Sequence, residues 1–333
     1  MAEQAQEWRL VQRPDGYPVA EDVELVDVPV PEPRPGEVLV RNMYNSVDPY
    51  MRGRMNEAAS YAASYRVGEA MWGGAVGHVV ASIDERFRVG AAVRHGQGWR
   101  THAAVPTTEL ELVDEEAAPL TAYLGVLGMP GLTAWVGLFD IAGVRPGETV
   151  WVSAASGAVG SLAGQLAKQI GCTVIGSAGG AHKAQALVEH LGFDAGIDYQ
   201  AGHLESQLHA AAPDGIDVYF DNVGGNHLQA ALTTLRPFGR VAACGRISDY
   251  NERQTGPDNL SLIVSKSLTV RGFIVSDHAH RTAACERHIA TLLRSQAVVY
   301  PETIVDGIGR SFDAFLGMLR GGNHTGKLAI KVA

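Results

Sequence analysis

Residues 152–161 read VSAASGAVGS, a run of small residues between the apolar TVWV and the amphipathic AVGSLAGQLAKQIG. A parallel strand that feeds a helix through such a turn leaves backbone N–H groups at the helix N-terminus, where a pyrophosphate can sit. Against the dinucleotide fingerprint G-x-G-x-x-G the segment gives Ala155-x-Gly157-x-x-Gly160, so the first glycine is missing. A tight turn with no ligand would use the same residues; the strand–turn–helix–strand context favours a nucleotide. The following strand, CTVIG, decides which one. An NAD site usually ends it in Asp or Glu, which accepts from the ribose 2′-OH. Here it runs into Ser177-Ala-Gly-Gly-Ala-His182-Lys183, with no acid and with a lysine suited to a 2′-phosphate. The plain alternative is a solvated first-turn lysine; the two features together point to NADP(H).

Zinc chemistry would need three protein ligands, typically thiolates and imidazole, and an open position. The three cysteines are Cys172, Cys244 and Cys285, none of them in the first 170 residues and none at a zinc-knot or disulfide spacing. The β-rich half offers only His78, His95 and His102, and His78 in GGAVGHVVAS alternates with valines as a strand residue does. No metal site is expected. The free cysteines and the polar start, MAEQAQEWRL, imply a reducing, cytoplasmic setting without a signal peptide.

These groups need a scaffold. A chain of 333 residues exceeds the size at which one core stops growing, so two domains are expected, and 46% hydrophobic against 19% charged residues supplies the cores. A net charge of −9 argues against a nucleic-acid surface, and no apolar run is long enough to span a membrane. Residues 1–125 carry short Val-rich runs cut by PEPRPG, a loop because three prolines would remove three ladder donors. From Thr149 onward apolar strands alternate with helical segments: TVWVSAA, CTVIGSA, DAGIDY, GIDVYFDNVGG, GRVAACG and SLTVRGFIV. That alternation implies a parallel sheet covered on both faces. The last residues hold one helix-like stretch and a final strand, able to close either domain.

Several segments read together: SVDPYMRGRM, LGMPGLTAW, VSAASGAVG, GIDVYFDNVGG, CGRISDYN, RGFIVSD and GGNHTGK. In order and wording they resemble the zinc-independent medium-chain dehydrogenase/reductases, and within these the NADPH-dependent alkenal/one double-bond reductases. The resemblance runs from about Val38 to the C-terminus. It implies an α/β fold: a GroES-like β-barrel substrate domain over 1–125, a doubly wound Rossmann domain over 126–297, and a segment 298–333 returning to the barrel. It also implies a homodimer and a substrate cleft between the domains. Carried over residue by residue, NADP(H) would lie along Gly157, Ala158, Val159 and Gly160 and contact Lys183, Tyr199 and Asn222. Cys244, Gly245, Ser248 and Tyr250 would wrap its nicotinamide end. Phe273, Ile274 and Val275 would offer backbone groups to the carboxamide, and Asn323 would reach it from the final segment. Tyr199 as a strand end, Asn222 as an Asx-turn residue and Phe273 to Val275 as buried strand are the structural alternatives.

The implied reaction reduces an α,β-unsaturated aldehyde or ketone, leaving an enolate oxygen that needs a hydrogen-bond donor. A tyrosine, protonated at neutral pH, suits that role, and Tyr250 in SDYN is the expected donor. Tyr50 in DPYMR and Tyr61 in ASYAAS match positions lining the substrate side. Departures from the family pattern are His182 in place of an acid, Gln200 in place of a lysine, and Ala62 and Ala63 in place of prolines. A quinone reductase, or a non-enzymatic NADP-binding protein, would keep the same cofactor residues.

Overall fold

The computed structural model describes residues 4–57, 62–251 and 256–332. Its contacts divide the chain into two units. The first comprises Met1–Leu124, Glu302–His324 and Leu328–Ala333; the second comprises Gly125–Pro301 and Thr325–Lys327.

In the first unit, Gln4–Leu10 pairs antiparallel with Val23–Pro29. Glu37–Ser46 lies within a seven-stranded sheet and pairs antiparallel with Ala75–Ala81, with His102–Pro106 and with the final strand Lys327–Lys331. Residues 31–36, the PEPRPG segment, stay outside any strand. Side chains alternate across a strand, so Val38 and Val40 point to one face and meet Val79, Phe87, Val93 and Val105 in a buried cluster. A second cluster forms where the helix Ser311–Leu319 buries Phe312, Phe315, Met318 and Leu319 with Met51, Met55, Tyr65 and Trp99. The helix-like stretch near the C-terminus therefore belongs to the first unit's core.

The second unit is built on six strands: β1 (Thr149–Val152), β2 (Thr173–Ala178), β3 (Ala195–Asp198), β4 (Ile216–Asp221), β5 (Leu235–Ala243) and β6 (Thr269–Gly272). They lie in the order β3-β2-β1-β4-β5-β6, with every pairing parallel. Between them run α1 (Ala158–Gln169), α2 (Ala181–Leu191), α3 (Leu204–Ala211) and α4 (Gly225–Thr234). This is a doubly wound sheet whose order reverses beside β1, and ligands of such sheets bind beyond the carboxyl ends of the strands at that point. One face buries Trp151, Ile175, Ile197, Tyr219 and Val241 with Leu208, Ala230, Ala231 and Leu232 from α3 and α4. Their neighbours Val150, Val152, Val174 and Val218 are as fully buried, as sandwiched strands require.

One strand departs from expectation. SLTVRGFIV reads as continuous apolar strand, but β6 stops at Gly272 and all four of its residues are exposed. It is the end strand of the sheet, so its pattern reflects the edge and not the core.

Candidate functional site: a dinucleotide cradle at the carboxyl ends of the sheet

The glycine turn joins β1 to α1. Gly157 is the N-cap of α1 and supplies no side-chain cap, so the first N–H groups of a twelve-residue helix face outward without an internal acceptor. A Cβ on Gly160 would stand 2.4 Å from the Ala154 carbonyl oxygen and 2.8 Å from the Ala155 Cα, so only glycine lets helix and turn approach this closely. The absent first glycine also has an account. The residue with positive φ in this turn is Ala154 (φ 47), while Ala155 donates its N–H to the Ser177 carbonyl at 2.9 Å. The Gly326 N–H donates to the Ser156 carbonyl at 2.7 Å, which docks Thr325–Lys327 on the same turn. The residues present thus fit a pyrophosphate.

At the end of β2, Gly180 (φ 92) is the N-cap of α2, and Lys183 lies in that helix's first turn. Burial pulls the Lys183 ammonium below its ordinary pKa range, and a neighbouring phosphate would favour its charged form. The Tyr199 hydroxyl and the Gln200 amide reach over this turn. A Cβ on Gly179 would stand 3.0 Å from the Tyr199 hydroxyl and 2.9 Å from Gln200 Nε2. Behind Tyr199, the His227 ring packs edge-on at 5.1 Å and stacks on Trp151 at 5.8 Å. His227 is 6% exposed, and burial holds its pKa down to about 4.

The end of β4 ties the cradle together. Asn222 donates through Nδ2 to the Ser153 carbonyl at 2.7 Å and through its backbone N–H to Ser153 Oγ at 2.9 Å. It is Asp221, not Asn222, that caps the following turn: its Oδ1 accepts from Val223 N–H at 2.9 Å, Gly224 N–H at 2.8 Å and the Tyr219 hydroxyl at 2.7 Å. Burial raises the Asp221 pKa, and these three donors oppose the rise. The Asp221 carbonyl accepts from the N–H groups of Cys244 (2.8 Å) and Gly245 (3.0 Å). Ser248 Oγ then donates to the Val223 carbonyl at 2.6 Å, and the Tyr250 N–H reaches the Ile247 carbonyl at 3.3 Å. The loop carrying Tyr250 therefore hangs from the same turn as Asn222. The Cys244 thiol is pushed up to about 12, chiefly by burial, and stays protonated.

Phe273, Ile274 and Val275 are half-buried and lie beyond the end of β6. A Cβ on Gly137 would stand 2.8 Å from Phe273 Cζ and 2.5 Å from Phe220 Cε2, so that glycine makes room for both rings. Asn323 is an exposed residue of the first unit, two positions before the stretch that joins the second. Tyr50 also belongs to the first unit, where the Arg54 guanidinium lies 4.5 Å from its ring and 3.9 Å from the Trp72 ring. Tyr61 lies outside the described residues.

His78 bonds Glu115 at 2.9 Å, and His95 is spoken for on both nitrogens, by Asn42 Oδ1 and by the Gln97 N–H, each at 3.0 Å. Among the described residues no group of three or more His, Cys, Asp or Glu could hold a metal ion. Sequence reasoning missed Ser153, Tyr219, Asp221 and His227. The Asp before Asn-Val-Gly-Gly at a strand end was the one local signal, since that pattern is an Asx turn.

Two family models match the chain: "N-terminal domain of oxidoreductase" over residues 6–113 and "Zinc-binding dehydrogenase" over residues 158–291. The chain is 40% identical to the NADPH-dependent curcumin reductase of Escherichia coli, over 98% of this chain and 96% of that one. It is 41% identical to prostaglandin reductase 1 of Bos taurus, over 98% and 99%. The crystal structure of CurA from Vibrio vulnificus in complex with NADPH superposes with a TM-score of 0.94 at 39% identity, over 98% and 99% of the two chains. The fold expected from the resemblance, a Rossmann sheet with a GroES-like β domain, is the fold found.

Proposed function

Because the chain belongs to the NADPH-dependent alkenal/one double-bond reductase group of the zinc-independent medium-chain dehydrogenase/reductases, we propose that it reduces the C=C bond of α,β-unsaturated aldehydes and ketones. It is an NADP(H)-dependent oxidoreductase. The observation that supports the reading best is the hydrogen-bonded tie from Ser153 through Asn222 and Asp221 to the Cys244–Gly245 backbone. It joins the glycine turn to the loop of Tyr250, so the groups that hold a dinucleotide and the phenol proposed for the chemistry share one frame.

Bound NADPH supplies a hydride, in this reading to the β-carbon of the enone. Gly157 to Gly160 hold the pyrophosphate, and Lys183 and Tyr199 take the 2′-phosphate. Cys244, Gly245 and Ser248 would shape the nicotinamide end, and Phe273 to Val275 would meet the carboxamide through their backbone. Tyr250 donates its phenolic proton towards the enolate oxygen. A phenol's ordinary pKa of ~10 keeps such a proton in place at neutral pH. Tyr50 and Tyr61 are the residues proposed to meet the substrate; within its own unit the Tyr50 ring lies 4.5 Å from the Arg54 guanidinium.

The enzyme is proposed to be a cytoplasmic homodimer: Cys172, Cys244 and Cys285 are free thiols, and β6 leaves an exposed sheet edge with Val270 42% accessible. The direct test follows NADPH consumption with an alkyl vinyl ketone, with a quinone and with no substrate. Turnover of the ketone supports the reading. Turnover of the quinone alone would replace it with a quinone reductase, and tight NADPH binding without turnover of either would indicate a non-enzymatic binder.

A further inference from the structure

The end of β2 lacks an acid in sequence, but the fold brings one to it. Asp198, the last residue of β3, sits beside the end of β2 in the sheet, paired with Ala178. Its Oδ1 accepts from the Gly180 N–H at 2.8 Å and from the Gln200 N–H at 2.9 Å. A carboxylate is thereby fixed at the N-cap of α2, the helix that carries Lys183, beside the turn overhung by Tyr199 and Gln200. It also occupies the Gly180 N–H, a donor at the helix N-terminus that would otherwise face an anion.

We infer that Asp198 is a specificity-determining residue that weakens this enzyme's preference for NADPH over NADH. The inference rests on placing the 2′-phosphate at Lys183 and Tyr199. A phosphate there carries close to two negative charges, and a fixed carboxylate beside it repels it, while the 2′-OH of NADH feels no such repulsion. Two neighbouring residues leave that repulsion poorly offset: Gln200 is neutral, and His182 is an exposed imidazole.

Asp198→Asn separates charge from architecture, because an Asn Oδ1 can accept from both Gly180 and Gln200. The probes are adenosine 2′,5′-bisphosphate and AMP, titrated calorimetrically against the purified protein. They differ only in the 2′-phosphate and involve no turnover. Asp198→Asn is expected to tighten the bisphosphate about fivefold at low salt and leave AMP unchanged, with the gain shrinking as salt rises. An unchanged bisphosphate affinity, or equal changes for both probes, would overturn the inference. Lys183→Ala tests the underlying placement separately. If it weakens the bisphosphate but not AMP while Asp198→Asn does nothing, the placement stands and the inference fails. If Lys183→Ala affects neither probe, the placement itself is wrong.

Discussion

Replacing Tyr219 with Phe would remove a single hydroxyl from the frame beneath the cofactor turn. Tyr219 is fully buried and its ring stacks on Trp151 at 4.4 Å, a contact that Phe retains. The hydroxyl gives a 2.7 Å hydrogen bond to the 2%-exposed carboxylate of Asp221. Ser153 Oγ, 3.0 Å from that hydroxyl, keeps other partners in the variant: it still accepts from the Asn222 N–H and still lies 3.3 Å from the Phe220 carbonyl. The contact with Ser153 is lost without stranding that hydroxyl, so the main loss is the hydrogen bond to the charged Asp221, worth ~1.5–3 kcal/mol. For a domain of this size ~1 kcal/mol shifts Tm by about 2–4 °C, so a fall of about 3–12 °C is expected. Scanning calorimetry and urea unfolding would measure it. The pair should also be coupled: Asp221→Asn introduced together with Tyr219→Phe should cost less than Asp221→Asn in the wild type, since the partner bond is already gone. A Tm shift under ~1 °C, or strict additivity in that cycle, would refute the account of Asp221 as a carboxylate held by three donors.

Tyr250→Phe should lower kcat by about 100- to 1000-fold, the worth of a positioned oxyanion donor, with the NADPH Kd from fluorescence titration unchanged; full turnover would remove Tyr250 from the chemistry. Lys183→Ala should weaken NADPH by ~1.5–3 kcal/mol and NADH hardly at all, read from the two Kd values, and equal losses would exclude a 2′-phosphate contact. Stability should fall with acid. Burial holds His95 at about 3 and His227 at about 4, both below the ordinary 6.5, so the unfolded chain gains protons that the folded one refuses. That stabilisation is complete above pH ~6.5 and is lost as pH drops towards those values, by up to ~1.4 kcal/mol per unit for each histidine. Asp221, whose pKa is raised, works in the opposite sense at the acid end. A flat urea midpoint between pH ~7 and ~5 would contradict this, and His95→Asn should flatten part of the slope. Val270→Lys on the open edge of β6 should shift sedimentation from dimer to monomer, whereas an unchanged dimer would place the interface elsewhere.

Short-range pattern was legible along the chain. Strand–turn–helix alternation, the small residues of 152–161 and the clustering of proline in PEPRPG depend on neighbours a few positions apart, and they were enough for the doubly wound sheet, the glycine turn and the loop. The wording of segments from DPYMR to GGNHTGK likewise proposed candidate site residues through resemblance. How those residues are held became visible only in three dimensions. Ser153 meets Asn222 across 69 positions, and Asp198 reaches Gly180 across 18, because parallel pairing sets strand ends side by side wherever they fall in the chain. For that reason the strand end that lacks an acid in sequence has one in space. The apolar run after Leu268 proved to be an exposed edge for a related reason: burial depends on a strand's place in the sheet order, and that order is fixed by which strands pair, not by the composition of any one of them.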